Sequence, residues 1–386
     1  MSFPRVLAAL AAVTMLAGAC GTGERPKSAP APSHQAAARP ACGDSAAVLA
    51  AMSTRDKLAQ LLMVGVRNRA DATAVVKDHH VGGIFIGSWT ELSMLKDGSL
   101  KGLTATTALP LAISVDEEGG RVSRLSPLIG PAPSARVLAQ TQSPEQVYVT
   151  TLKRAQRMRD LGITIDFAPV VDVTDAPDDT VIGDRSFGSD PAKVTEYAGA
   201  YARALRDAGL LPVLKHFPGH GHGSGDSHTG GVTTPRFAEL QNDDLVPYRT
   251  LVTAAPVGVM IGHLQVPGLT ANQPASLSPE AVRLLRTGTG YDGPPFNGPV
   301  FSDDLSSMAA VNEKYTVPDA VLRTLQAGTD IALWVTTDEV PAVLDRLDKA
   351  LSAGELTMPA LDASVLRIAQ MKGRRPECGR SRTGFS

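Results

Sequence analysis

Residues 210–230, LLPVLKHFPGHGHGSGDSHTG, join an apolar run to a glycine-cushioned loop that carries Lys215, His216, His220, His222, Asp226 and His228. Glycine lets a backbone approach a ligand closely and lets a loop move. The apolar run at its head, 212–215, reads as a strand. A strand that opens into a polar loop is the unit from which α/β folds build their sites, because function there gathers at the carboxyl ends of strands.

Outward from this unit the same pattern repeats. Apolar runs at 61–66, 83–87 (GIFIG), 111–115 (LAISV), 163–173 (ITIDFAPVVDV), 258–261 (GVMI), 300–302 and 331–335 (IALWV) join 212–215 as strand candidates. Most are continuously apolar rather than alternating, as in a parallel sheet covered by helices on both faces. Helical patterns lie between them. One, 144–161, opens after Ser143 with Pro144 at its first position. Another, 191–208, follows Asp190 and stops at Gly209. Others fall at 237–253, 279–285, 318–325, 340–351 and 359–371, the last with Leu361, Val365 and Ile368 on one face. Eight strands with intervening helices over roughly 330 residues predict an α/β fold of the (β/α)8, TIM-type barrel class, one catalytic domain spanning 44–378. The rival is an open doubly wound sheet, but no glycine-rich dinucleotide fingerprint follows the first strand.

In a barrel the residues just past each strand converge on one mouth. Here they are Asp116, Glu117, Glu118 and Arg124 after the third strand, and Asp172 and then Arg185 after the fourth. Lys215, His216, Asp226 and His228 follow the fifth, His263 the sixth, and Asp303 with Asp304 the seventh. Carboxylates, arginines and a lysine around one opening suit a neutral polyhydroxylated ligand, since charge-assisted hydrogen bonds to hydroxyls are stronger than neutral ones. Asp226 and His228 stand two apart on one loop. A carboxylate that accepts from one imidazole nitrogen fixes the tautomer and leaves the other nitrogen for proton transfer. A fixed carboxylate opposite a proton shuttle is the equipment of a retaining glycosidase.

The segments VDEEGGRVSRL (115–125), IGDRSFG (182–188), KHFPGHGHGSGDSH (215–228) and FSDDLS (301–306) occur in this order. Together they resemble glycoside hydrolase family 3, and within it the single-domain bacterial β-N-acetylglucosaminidases, over about 58–368. The resemblance implies removal of non-reducing terminal β-linked N-acetylglucosamine, with no metal and no cofactor. It implies Asp303 as nucleophile, His228 as acid/base with Asp226 as its partner, and Asp116, Arg124, Arg185, Lys215 and His216 as substrate contacts. Glu117 stands where this subgroup more often has glutamine, and 287–297 (TGTGYDGPPFN) is longer than usual before the seventh strand.

Side chains on neighbouring strand positions face opposite sides, so Asp304 is expected to be structural beside Asp303. Asp172 is expected to stand behind the site, and His220 and His222 to be loop residues without a catalytic role. His263 is left open. Two other classes remain at this stage. His216, His220, His222, Asp226 and His228 include enough ligand types for a zinc metallohydrolase, although no HExxH helix is present. A non-enzymatic sugar-binding lipoprotein is the other.

The first twenty residues, MSFPRVLAALAAVTMLAGAC, have one basic residue, an apolar core and small residues before Cys20. This is an export signal, and it resembles a bacterial lipoprotein signal with Cys20 as the lipidated residue. Residues 21–43, rich in Pro, Ala and Ser, read as a flexible tether, and 379–386 as a short tail. Export places Cys42 and Cys378 in an oxidising compartment, where a disulfide between them is an open option. A net charge of −2 gives no basic excess for nucleic acid. The expected partners are therefore an N-acetylglucosamine-containing saccharide or muropeptide and, through Cys20, a membrane on the outer face of the cell envelope. The chain is expected to act as a monomer.

Overall fold

The computed structural model describes residues 45–96, 98–104, 109–254 and 256–373. The export signal with Cys20, the tether, the Cys42 and Cys378 pair and the tail at 379–386 lie outside the described residues.

Eight strands form the predicted barrel: β1 Leu62–Gly65, β2 Gly83–Ile86, β3 Ala112–Val115, β4 Ile165–Asp166, β5 Leu211–Phe217, β6 Gly258–Ile261, β7 Val300–Ser302 and β8 Ala332–Trp334. They run in the order β7-β6-β5-β4-β3-β2-β1-β8, every neighbouring pair parallel. A parallel bridge between Phe301 and Ile331 closes the ring, helped by Ser302 N donating to Ile331 O at 3.0 Å and Leu305 N to Leu333 O at 2.9 Å. Closure removes the open edges that an unclosed sheet would leave.

The barrel interior is packed rather than hollow. Phe85 on β2, Phe167 just after β4 and Phe301 on β7 touch in file, with ring centroids 5.9 and 5.5 Å apart. Rings from nearly opposite strands meet in this way only across the inside of the barrel. Outside it, Pro144–Asp160 is capped by a reciprocal Ser143–Gln146 box, and Pro191–Asp207 by the Asp190 side chain, as their sequences predict.

Two expectations on extent need correction. The run 163–173 is not one strand. Regular pairing stops at Asp166, and past Pro169 a single bridge, Val170 to Lys215, carries the chain on. Proline has no N–H for a ladder, which accounts for the break. The helix expected at 237–253 is two pieces, Phe237–Leu240 and Tyr248–Ala254. Pro247 cannot sit inside a helix. The intervening turn also drives Asp244 into the protein, where its carboxylate accepts from Val173 N at 3.3 Å. The long segment before β7 has a packing role, because Tyr291 is buried with its ring 6.1 Å from that of Phe217 at the end of β5.

Candidate active site

A pocket opens at the carboxyl ends of the strands. Asp116, Arg124, Arg185, Lys215, His216, His228 and Asp303 all line it, together with Glu118 and His220. The sequence-derived site residues therefore converge. Asp226 does not line the pocket but bonds to His228, which does.

One wall is a buried charge network. Lys215 Nζ contacts Asp116 Oδ1 at 2.7 Å and Glu118 Oε1 at 2.6 Å. Arg185 grips Glu118 with two hydrogen bonds, Nε to Oε2 at 2.8 Å and Nη2 to Oε1 at 2.9 Å. Burial alone would raise the Glu118 carboxyl, but Arg185 and Lys215 more than reverse this and hold it far below the usual carboxylate range. Burial likewise works against the Lys215 ammonium, and Asp116 and Glu118 overcome it and raise it. Both groups are thus charged at neutral pH. Glu118→Gln leaves two cations buried with one fewer anion, a loss of about 3–5 kcal/mol of stability for a broken buried pair. Denaturant unfolding checks this. Because the carboxyl is depressed, the contribution stands at neutral pH and disappears only as pH falls through the lowered value. Arg124 differs from the other two basic side chains of the pocket, since among the described residues no carboxylate pairs with it. Its guanidinium fork is free to meet a ligand.

Glu117 points elsewhere. It is fully buried, and its carboxylate accepts from Leu125 N at 2.7 Å, Ser123 Oγ at 2.5 Å and Arg154 Nη2 at 2.5 Å. It pins the hairpin Glu117–Gly119 and Val122–Ser123, which presents Arg124 to the pocket. The departure from the usual glutamine therefore lies behind the site.

Asp303 follows β7 and is nearly buried. Its Oδ1 accepts from Asp304 N at 2.9 Å. Burial would raise its carboxyl, yet the imidazoles of His216 and His263, the Asp304 N–H and Lys215 together lower it. An ionised, weakly solvated carboxylate is a competent nucleophile. Asp304 borders the same pocket, but its carboxylate is bound by the backbone and hydroxyl groups of Ser306 and Ser307, which makes it structural as expected. His263 is structural too. Nδ1 meets Ser276 Oγ at 2.6 Å and Nε2 meets the Asp304 carbonyl at 2.6 Å, so both ring nitrogens are occupied.

Asp172 stands behind the pocket. It accepts from His216 N at 3.1 Å and His220 N at 2.8 Å, and its other oxygen lies 2.7 Å from His216 Nδ1. Burial opposes ionisation, but His216 leads the groups that hold this carboxyl below its ordinary range. An ionised carboxylate can only accept, so His216 Nδ1 carries the hydrogen and Nε2 is left for the pocket. The same argument applies on the loop, where His228 Nδ1 lies 2.7 Å from Asp226 Oδ1 and the His228 backbone N–H donates to that oxygen at 2.9 Å. Burial would raise the Asp226 carboxyl, but the His228 N–H and imidazole prevail and lower it. His228 Nε2 is then the free nitrogen.

The loop is tied down at its tip and its root. At the tip, Ala310 N donates to Ser227 O at 3.2 Å and Ser227 packs against Met308. This joins the loop after β5 to the segment after β7 and places His228 on the same pocket as Asp303. At the root, His222 Nδ1 lies 3.3 Å from Asp244 and 3.5 Å from Asp243, and a side chain at Gly221 would collide with the Val173 carbonyl.

Glu118 and His220 carry no role in the sequence reading. Glu118 stands two residues after Asp116, and both line the pocket. His220, expected to be a loop residue without a role, lines the pocket with a buried Nδ1 that has no partner. The five-ligand zinc set is not brought to one point. His216 bonds Asp172, His228 bonds Asp226, and His222 bonds Asp244. Among the described residues the trio with metal-ligand spacing is His222, Asp243 and Asp244, none of which lines the pocket.

Comparison with known proteins gives the family. Residues 53–371 match the glycosyl hydrolase family 3 N-terminal domain. The chain is 66% identical over 389 residues to the beta-hexosaminidase LpqI of Mycobacterium tuberculosis, covering 98% of this chain and 100% of that protein. The solved structure of M. tuberculosis LpqI superposes with a TM-score of 0.85 at 70% identity, covering 87% of this chain and 98% of that one. A glycoside hydrolase family 3 beta-N-acetylglucosaminidase from Paenibacillus superposes with a TM-score of 0.77 at 31% identity, over 84% of this chain and 63% of that one.

Proposed function

The chain belongs to glycosyl hydrolase family 3 and is a glycosidase of it, and from that premise we propose that it is a retaining β-N-acetylhexosaminidase removing non-reducing terminal β-linked N-acetylglucosamine. The observation that carries the reading is the sharing of one pocket by an ionised, buried carboxylate, Asp303, and an imidazole, His228, held by Asp226.

In the proposed first step Asp303 attacks the anomeric carbon. His228 Nε2 gives its proton to the glycosidic oxygen, the C–O bond breaks, and the leaving group departs as an alcohol. The sugar is left as an ester on Asp303. In the second step neutral His228 takes a proton from water, which attacks the same carbon and frees the carboxylate. Arg124, Arg185, Asp116, Lys215 and His216 are assigned to the hydroxyl and acetamido groups of the bound ring. Their charge makes those hydrogen bonds stronger than neutral ones.

The proposed natural substrates are peptidoglycan fragments. The export signal with Cys20 at its end supports this, because it points to a lipid-anchored protein outside the cytoplasmic membrane. Two inversions restore the starting configuration, so NMR of the first product from a β-glycoside should show the β-anomer before mutarotation. An α-anomer as first product contradicts the ester intermediate.

A further inference from the structure

Trp89 stands out among the large apolar side chains. The chain has two tryptophans. Trp334 is fully buried, whereas Trp89 is 45% exposed and lies on the pocket that holds Asp303 and His228. Val137, Val149 and Met358 are the other exposed large hydrophobics among the described residues, and none of them lines that pocket.

The indole is held in place. It sits in the turn after β2, which is braced by Gly87 N donating to Thr90 Oγ1 at 3.0 Å and Thr90 Oγ1 donating to Val66 O at 2.7 Å. A side-chain carbon at Gly87 would lie 2.3, 2.4 and 2.5 Å from Cη2, Cζ2 and Cζ3 of the indole. Near-equal distances to three adjacent ring atoms mean that the benzo face, not its edge, covers Gly87. Only glycine permits that contact. Phe85 supports the ring from the barrel side, with centroids 6.0 Å apart, and it heads the file that runs through Phe167 to Phe301, two residues before Asp303. One face of the indole is therefore fixed against backbone and the rest is presented to solvent at the mouth.

We propose that Trp89 is the platform for the leaving group of the substrate, stacking the C–H face of the second pyranose ring while the first ring occupies the charged wall. This rests on the glycosidase reading and extends it to the other side of the scissile bond. Two features favour a ring there. The Asp116, Arg124, Arg185 and Lys215 side suits a ligand rich in hydroxyls, while Val122 and Val335 add apolar surface to the lining that Trp89 shares. A rigid aromatic surface also binds without the ordering cost of a flexible side chain.

The test compares wild type and Trp89→Ala on two substrates. Chitobiose has a pyranose as its leaving group, and N-acetylglucosaminyl β-fluoride has no ring there. The expected result is a fall of about tenfold in the ratio of kcat/KM for chitobiose to that for the fluoride, expressed in KM, as for a single buried aromatic anchor. Trp89→Phe should restore most of the ratio. Turnover of the fluoride by Trp89→Ala also reports that the variant is folded. An unchanged ratio, or equal loss on both substrates, overturns the platform while leaving the glycosidase reading intact. A wild-type protein that hydrolyses neither substrate overturns both.

Discussion

Asp303→Ala is expected to reduce turnover by roughly 10⁵-fold or more on every β-N-acetylglucosaminide, whatever its leaving group, which is the scale of removing a covalent nucleophile. The fold should survive. The side chain accepts one hydrogen bond, from Asp304 N, while the strand around it is held by its own backbone bonds, including Asp303 N to Ile261 O at 3.1 Å. Substrate should still bind, because the charged wall of Arg185, Glu118, Lys215 and Asp116 is untouched. Added azide should restore part of the rate on an aryl glycoside with a good leaving group. It would enter the space left by the carboxylate and yield the α-glycosyl azide, a product that a merely structural role for Asp303 does not explain. An Asp303→Ala/His228→Ala protein should be scarcely worse than Asp303→Ala, since groups that act in one step are not additive.

His228→Ala has the second largest expected effect, and the effect should depend on the substrate. General acid assistance is typically worth about 10²–10⁴ in rate. With a sugar as leaving group the whole of that factor should be lost from glycosylation. With a dinitrophenyl leaving group, which departs without protonation, glycosylation should be much less affected. A plot of log rate against leaving-group basicity should therefore steepen in the variant. Equal damage along the series, with glycosylation rate-limiting, contradicts the assignment. Asp226→Asn should fall between wild type and His228→Ala, because it keeps the turn but removes the carboxylate that orients the ring. The pH dependence carries a sign. Asp303 must be ionised to attack and its carboxyl is lowered, so activity should persist down through the ordinary carboxylate range and fail only below it.

The barrel was legible because each strand is a short, continuously apolar run followed by polar residues, and both features follow from burial on two faces and exposure at one end. The strand after Ile163 was overdrawn because the apolar pattern continues through Phe167 to Val173. The chain there is buried but no longer laddered, a distinction that hydropathy does not carry and Pro169 alone hints at. The helix expected over 237–253 was overdrawn for a related reason. Asp243 and Asp244 look like a solvated face in sequence, and only the fold brings His222 to them. Within the site, the charged residues at the strand ends were legible one by one. Their pairing was not. Nothing local tells that Glu118 clasps both Arg185 and Lys215, nor that Glu117 turns away to Arg154. Asp116, Glu117 and Glu118 are three adjacent acids in sequence, and only the turn from β3 into the hairpin sends the first and third to the pocket and the second behind it. Asp172 was placed correctly behind the site, while the exposure of Trp89 depends on the turn after β2 and on Gly87 beneath the ring.

The account depends on a sugar ester forming at one side chain. Incubating the protein with 5-fluoro-N-acetylglucosaminyl fluoride, quenching in acid and mapping peptides by mass spectrometry tests it most directly. The expected result is a single fluorosugar adduct on the peptide containing FSDDLS, at Asp303, absent from Asp303→Ala. An adduct on another carboxylate, or full hydrolysis of the probe with inversion and no adduct at any time point, would contradict it.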